Sequence, residues 1–377
     1  MMTTTRRLSF AALPVACALL AVTAANGAAQ QPQAAKGTVE KITVHGRALD
    51  GNLEGDSPDR PVIVYLPPSY TTQPQRRYPV VYFLHGYGAN ADAYARVLAL
   101  PDGPDRAIAA GAREMIIVLP DAFTKYSGSM YSSSLTTGDW ETFVARDLTG
   151  YIDAHYRTIA TREGRGLAGH SMGGYGTMRI GMKRSETFNA MYAMSSCCLM
   201  NDPAAGRGSG AARSGQPGPA PQASPTSETS NRAAGPGRAA GPGRAAGAGR
   251  GGGLANAPMA QAAAWAPNPH NPPDFFDTPT KDGELQPLIA AKWIANSPLV
   301  MVDQYVPALR SMRAIALDVG DKDTLATTNR QLDAALARLD VTHTFEVYDG
   351  DHGNRVTQRF ESKVMPFFSQ HLAGDAR

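Results

Sequence analysis

The sequence predicts a doubly wound α/β fold, with a mostly parallel central sheet and helices on both faces. Three observations carry that prediction. Short apolar runs alternate with helix-periodic segments along most of the 377 residues. Several of those runs are continuously apolar, as strands buried on both faces of a parallel sheet are. One of them ends in GLAGHSMGGYG, residues 166–176, where a hydroxyl sits between glycines at the point a strand gives way to a helix.

In chain order, VEKITV (39–44) and PVIVYLP (61–67) read as two strands able to pair as a hairpin at the sheet edge. YPVVYFLHG (78–86) is the first continuous apolar run, followed by a helical segment over about 91–110 and a second buried strand, MIIVLPD (115–121). DWETFVARDLTGYIDAHY (139–156) sets Trp140, Phe143, Val144, Leu148, Tyr151 and Ile152 at helical spacing. RGLAGH (165–170) is a strand and MGGYGTMRIGMKR (172–184) a helix. NAMYAMSS (189–196), AIALDVG (314–320) and HTFEVYDG (343–350) are further strands, and 324–339 and 355–372 supply helices.

Two stretches stand outside this alternation. Residues 1–28 have two arginines, Arg6 and Arg7, then a short apolar run and small residues, the anatomy of a cleaved export signal; the expected location is secreted or periplasmic. The apolar run is short and broken by Pro14, so stable membrane insertion is not expected. Residues 203–257 are almost wholly Ala, Gly, Pro, Ser and Arg, with RAAGPG repeating, and hold too little apolar surface to offset ordering entropy. We read them as a disordered insertion within one domain, 37–372. Closing such a loop costs about 3.5 kcal/mol, against about 2 for ten residues, which a large core tolerates.

The formal charge of +3 hides an acidic body. Arg6 and Arg7 contribute +2 and the insertion +5, leaving −4 for the rest, so no basic nucleic-acid footprint is present. Outside the leader the cysteines are Cys197 and Cys198, neighbours whose disulfide would close a strained ring; they read as two small buried apolar residues.

The chemistry centres on Ser171. A strand–turn–helix with Gly169 and Gly173 flanking the serine is what a nucleophile elbow requires, because strand and helix must approach closely around it. The turn would place the Met172 amide at a helix N-terminus, where developing negative charge is stabilised. A serine needs a base, and the base an orienting carboxylate, in the chain order Ser, acid, His. Of the eight histidines, His352 in DGDHGN lies on the loop after the last strand, at the edge where Ser171 stands. His343 begins a strand and His371 ends a helix. The acid belongs on GDKDTL: Asp323 and Asp321 are both available, with Asp323 beside the next helix and Asp321 suited to bonding the loop. Asp318 falls inside the strand, and Asp351 reads as a turn residue. HGYGAN (85–90) offers the second oxyanion donor, the Tyr87 amide, with His85 as an orienting residue. The site calls for no metal and no cofactor.

PVIVYLPPSY, YPVVYFLHGYG, DLTGYIDAHYRT, GLAGHSMGGYG, DVGDKDTL and DGDHGN together resemble the putative-esterase family of α/β hydrolases, which includes feruloyl esterases, S-formylglutathione hydrolases and the antigen 85 proteins. The resemblance covers about 37–200 and 285–372. It implies an α/β-hydrolase fold and a serine esterase acting on a small-molecule or carbohydrate-linked ester through an acyl-enzyme. It matches Ser171, Asp323 and His352 to the family's triad, and Tyr87 and Met172 to its oxyanion amides. Two departures stand out: Asn354 occupies the place of an aromatic found in many feruloyl esterases, and 203–257 falls where the family builds substrate-covering structure. Acyl transfer on the same fold, or binding of a cell-wall polymer without turnover, are the alternatives.

Overall fold

The computed structural model describes residues 1–3, 36–204 and 256–374. Eight of the apolar runs become strands: β1 (Thr38–His45), β2 (Asp59–Leu66), β3 (Val80–Leu84), β4 (Ile116–Pro120), β5 (Arg165–His170), β6 (Ala190–Met194), β7 (Ala314–Gly320) and β8 (Thr344–Tyr348). They form one sheet in the order β1-β2-β4-β3-β5-β6-β7-β8. The β1–β2 hairpin is antiparallel and pairs with β4 through β2; from β4 to β8 all neighbours are parallel.

The unbroken apolar character of the central strands follows from this layering. On β3, Val80, Tyr82 and Leu84 join the core on one face, while Val81 and Phe83 join the core on the other. The second face is closed by α1 (Ala91–Val97), α2 (Asp102–Ala109) and the last helices of the chain, which contribute Tyr94, Leu98, Val356, Phe360 and Phe368. The first face is closed by α3 (Trp140–Thr142), α4 (Thr149–His155), α5 (Met172–Lys183) and α6 (Ala257–Trp265). A buried ion cluster joins two of these: Glu141 on α3 meets Arg179 Nε at 2.6 Å and Lys183 Nζ at 2.5 Å on α5. Burial pushes the Glu141 carboxyl up, and the two cations outweigh it and hold it below its ordinary range.

Three boundaries differ from expectation for stated reasons. The helix expected over 91–110 is two, because Pro101 has no N–H to donate and disfavours helical geometry in the residue before it. The helix over 139–156 widens through Phe143–Leu148 between α3 and α4. The terminal helix runs as α9 (Val356–Arg359), a wide turn Phe360–Val364 and α10 (Met365–His371); ahead of it lie α7 (Pro287–Ala295) and α8 (Ala326–Arg338). α6 and α7 lie in a region to which no element was assigned from sequence. Residues 4–28 of the expected leader and 205–255 of the expected insertion fall outside the described residues. Among the described residues no helix is long and apolar enough to cross a membrane.

Candidate active site

Parallel strands end their carboxyl termini along one rim, and the candidate residues gather there. Ser171 follows β5 directly, with φ 59° and ψ −115°, a conformation that non-glycine residues adopt only under constraint. The constraint is visible on both sides. A Cβ on Gly173 would lie 1.9 Å from the Leu84 carbonyl oxygen, and one on Gly169 would lie 2.3 Å from the Gly173 oxygen. Strand, turn and helix therefore meet only because both positions lack a side chain. The Ser171 peptide is also fixed: its N–H donates to the Met194 carbonyl (3.0 Å), and its own carbonyl accepts from Cys197 N–H (3.1 Å).

The loop after β7 carries Asp323, with a fully buried side chain, and the loop after β8 carries His352, with a side chain 43% exposed. His352 Nδ1 lies 2.8 Å from Asp323 Oδ2, and its Nε2 lies 2.9 Å from Ser171 Oγ. A carboxylate can only accept, so Nδ1 carries the proton and Nε2 is left to accept from the serine hydroxyl. Burial pushes the Asp323 carboxyl up. Hydrogen bonds from His352 and from Leu325 N–H (2.9 Å to Oδ1) outweigh it and hold the carboxyl below its usual range. The group is a carboxylate at neutral pH. Asp321 points elsewhere, accepting from Gly350 N–H at 3.0 Å. Asp351 accepts from Gly353 and Asn354 N–H groups, and Asn354 Oδ1 accepts in return from Asp351 N–H; this turn presents His352.

The loop after β3 passes over the serine. A Cβ on Gly86 would sit 3.4 Å from Ser171 Cβ, and Tyr87 follows it. His85 is buried, with Nε2 accepting from Ala122 N–H (2.8 Å) and Nδ1 donating to the Gly86 carbonyl (2.9 Å). Burial lowers its pKa, so it stays neutral and ties the loop to the end of β4. Met172 opens α5, and its amide is one of the first-turn N–H groups with no acceptor within the helix.

His170, read from sequence only as a competing base, holds a different place. Its Nε2 lies 2.7 Å from the His352 carbonyl oxygen and its Nδ1 2.7 Å from the Tyr94 hydroxyl. Burial, then the neighbouring His352, pushes its pKa down to about 3, so the ring is neutral. Nε2–H therefore donates to the carbonyl and Nδ1 accepts from Tyr94. The ring clamps the backbone of His352 to the strand that delivers Ser171. A histidine directly before Ser171 was the signal in the sequence; nothing there pointed to Tyr94.

A family model described as "Putative esterase" matches residues 57–364. The chain belongs to that family. Two esterases of Mycobacterium tuberculosis strains are 37% identical to it over 124 residues, which is 32% of this chain and 26% of theirs. An endo-1,4-β-xylanase/feruloyl esterase of Xylanibacter ruminicola is 32% identical over 129 residues, 18% of its length. This member of the family thus aligns with only about a quarter of the curated M. tuberculosis relatives. In fold it is similar to a ferulic acid esterase (TM-score 0.60, 23% identity, 90% of this chain and 99% of that one) and to an S-formylglutathione hydrolase from Agrobacterium tumefaciens (0.56, 15%, 92% and 99%). Both likenesses identify the α/β-hydrolase fold.

Proposed function

We propose that this chain is an exported serine carboxylic-ester hydrolase whose triad is Ser171, His352 and Asp323. The observation that carries the reading is the unbroken chain of contacts Asp323–His352–Ser171, at 2.8 and 2.9 Å, ending on a strained elbow. Ser171 Oγ attacks the ester carbonyl as His352 Nε2 takes its proton. The tetrahedral oxyanion is received by the amides of Tyr87 and Met172. The imidazolium, held by Asp323, returns the proton to the departing alcohol. Water, activated by the same imidazole, then releases the acid from the acyl-enzyme. Family membership and the matched relatives support ester cleavage; the leader expected over 1–28 supports export of a domain spanning 37–372.

The substrate is a small ester. A cavity of about 610 Å³ is lined by Met259, Asp274, Phe276, Asp277 and Leu288 among others, and by none of Ser171, His352, Asp323, Tyr87 and Met172. It is connected to the oxyanion loop through Tyr126, whose hydroxyl donates to Asp274 (2.7 Å) and whose carbonyl accepts from the Tyr87 hydroxyl (2.9 Å). Hydrolysis of p-nitrophenyl acetate and butyrate by the wild type and Ser171→Ala tests the proposal. The substitution lowers kcat by a factor of about a thousand or more. Equal turnover by the two proteins, without an acyl burst, removes the esterase reading.

A further inference from the structure

Tyr126, Ser127 and Gly128, on the loop after β4, lie against Tyr87 and its turn, and Gly128 also against Met172. The Tyr87 hydroxyl donates to the Tyr126 carbonyl at 2.9 Å, and Gly88 N–H donates to the Ser127 carbonyl at 2.9 Å. A Cβ on Gly128 would lie 2.7 Å from Met172 Sδ and 2.8 Å from Tyr87 Cδ2. Tyr87 is thus held at the tip of its ring and at the peptide that follows it. Gly88 N–H is engaged by this bond, whereas Tyr87 N–H has no acceptor among the described residues.

The supporting stretch is itself constrained. Ser127 has φ 68°, in the left-handed region, and its N–H donates to the Thr124 carbonyl at 2.8 Å. Tyr126 N–H is shared between Glu54 Oε1 (3.2 Å) and Thr124 Oγ1 (3.3 Å). The Tyr126 ring meets Phe276 edge-on, with centroids 5.4 Å apart, and its hydroxyl donates to Asp274 Oδ1 at 2.7 Å. Burial, then the bond to Asp274, pushes the phenol pKa up, so the hydroxyl keeps its proton. Asp274 and Phe276 flank a pinned residue: Phe275 N–H donates to the Asn271 carbonyl (2.7 Å), and its carbonyl accepts from Asn268 N–H (2.7 Å) and Thr136 Oγ1 (2.5 Å). One line of contacts therefore runs from Asp274 through Tyr126 to Tyr87.

We propose that Tyr126 is a positioning residue for the oxyanion, with Asp274 as its anchor. The bond at its hydroxyl fixes the constrained turn, and the turn fixes where the Tyr87 amide points. The inference rests on the reading above, in which that amide receives the charge that develops when Ser171 attacks. That charge builds only as the tetrahedral intermediate forms. Slack in the turn therefore weakens a contact made in the transition state and leaves substrate binding alone. A displacement of about 1 Å at such a site costs about a hundredfold in rate, and freeing one anchor among several costs less.

Tyr126→Phe in the full-length chain keeps the ring and its contact with Phe276 and deletes only the hydroxyl. For p-nitrophenyl acetate it lowers kcat about tenfold and leaves KM within about twofold. It weakens inhibition by benzeneboronic acid by the same factor, since boron bonded to Ser171 Oγ sets an oxygen at the oxyanion position. Asp274→Ala reproduces both effects, and Asp274→Asn, which keeps an acceptor, restores most of kcat. The double variant Tyr126→Phe/Asp274→Ala is no worse than either single one, because both delete one bond. A lowered melting temperature with kcat and boronate affinity unchanged overturns the proposal; so does a loss confined to KM, or a double variant whose losses add. Ser171→Ala separates this failure from failure of the esterase reading. An inactive Ser171→Ala beside a fully active Tyr126→Phe overturns the positioning role alone, and a Ser171→Ala as active as the wild type overturns both.

Discussion

Asp318 and Asp323 stand five residues apart, and both have fully buried side chains, yet they live by opposite rules. Asp318, on β7, meets Arg359 Nε at 2.5 Å and accepts from the Tyr192 hydroxyl at 2.9 Å, while Arg359 also reaches Glu346. Its partner is a permanent cation. Burial still pushes the Asp318 carboxyl up, since Oδ1 has no hydrogen-bond partner among the described residues. Asp323 has no such cation, only the imidazole of His352, whose outer edge is open to solvent. A buried carboxylate with a fixed charge beside it holds a fold together. The other orients an imidazole that faces Ser171.

The comparison can be broken at either end. Asp323→Asn removes the acceptor that fixes the imidazole tautomer, and kcat/KM for p-nitrophenyl esters falls about 10⁴-fold. The melting temperature stays near that of the wild type. If activity survives and stability collapses, the two aspartates are alike after all. Arg359→Met does the reverse: it strands Asp318 and costs about 3–5 kcal/mol in denaturant unfolding, while kcat/KM of the folded fraction stays close to wild type.

A third carboxylate sharpens the contrast. Glu54 is mostly buried; its Oε1 accepts from Tyr126 N–H at 3.2 Å, while Oε2 has no partner among the described residues. Burial, aided by Asp56, pushes its pKa up from 4.5 to about 7. The folded state then binds more protons than the unfolded one between those values. Stability therefore declines as pH rises from about 4.5 to 7, and the full penalty persists above. Glu54→Gln keeps the acceptor and deletes the charge, gaining about 1–3 kcal/mol at pH 8 and nothing at pH 4 in urea titrations at the two values. An equal gain at both values puts the penalty in packing.

The elbow was legible because sterics leave it few solutions: once a strand and a helix must meet at a serine, only glycine satisfies Gly169 and Gly173. The sheet was legible for a similar reason, as burial on both faces leaves runs such as VVYFL unbroken. The ends of the chemistry were harder. Asp321 and Asp323 share one short loop, and only the fold decides which faces His352. α6 was hidden by its neighbours. APMAQAAAW follows a long Ala-, Gly- and Pro-rich stretch and has no polar face, because Ala260, Ala262, Ala263 and Ala264 are all buried. The clamp from His170 and Tyr94 joins residues far apart in the chain, and no local pattern announces such a pairing.

Ser171 is bonded through its peptide on both sides, to Met194 and to Cys197, while the backbone that carries the ring it faces is tied to the sheet through the single bond from His170. One half of the apparatus is thus an anvil and the other a hammer on a short arm. Wear, by heat or by mutation of the surface, will be felt first in the swing of that arm, long before the anvil shifts.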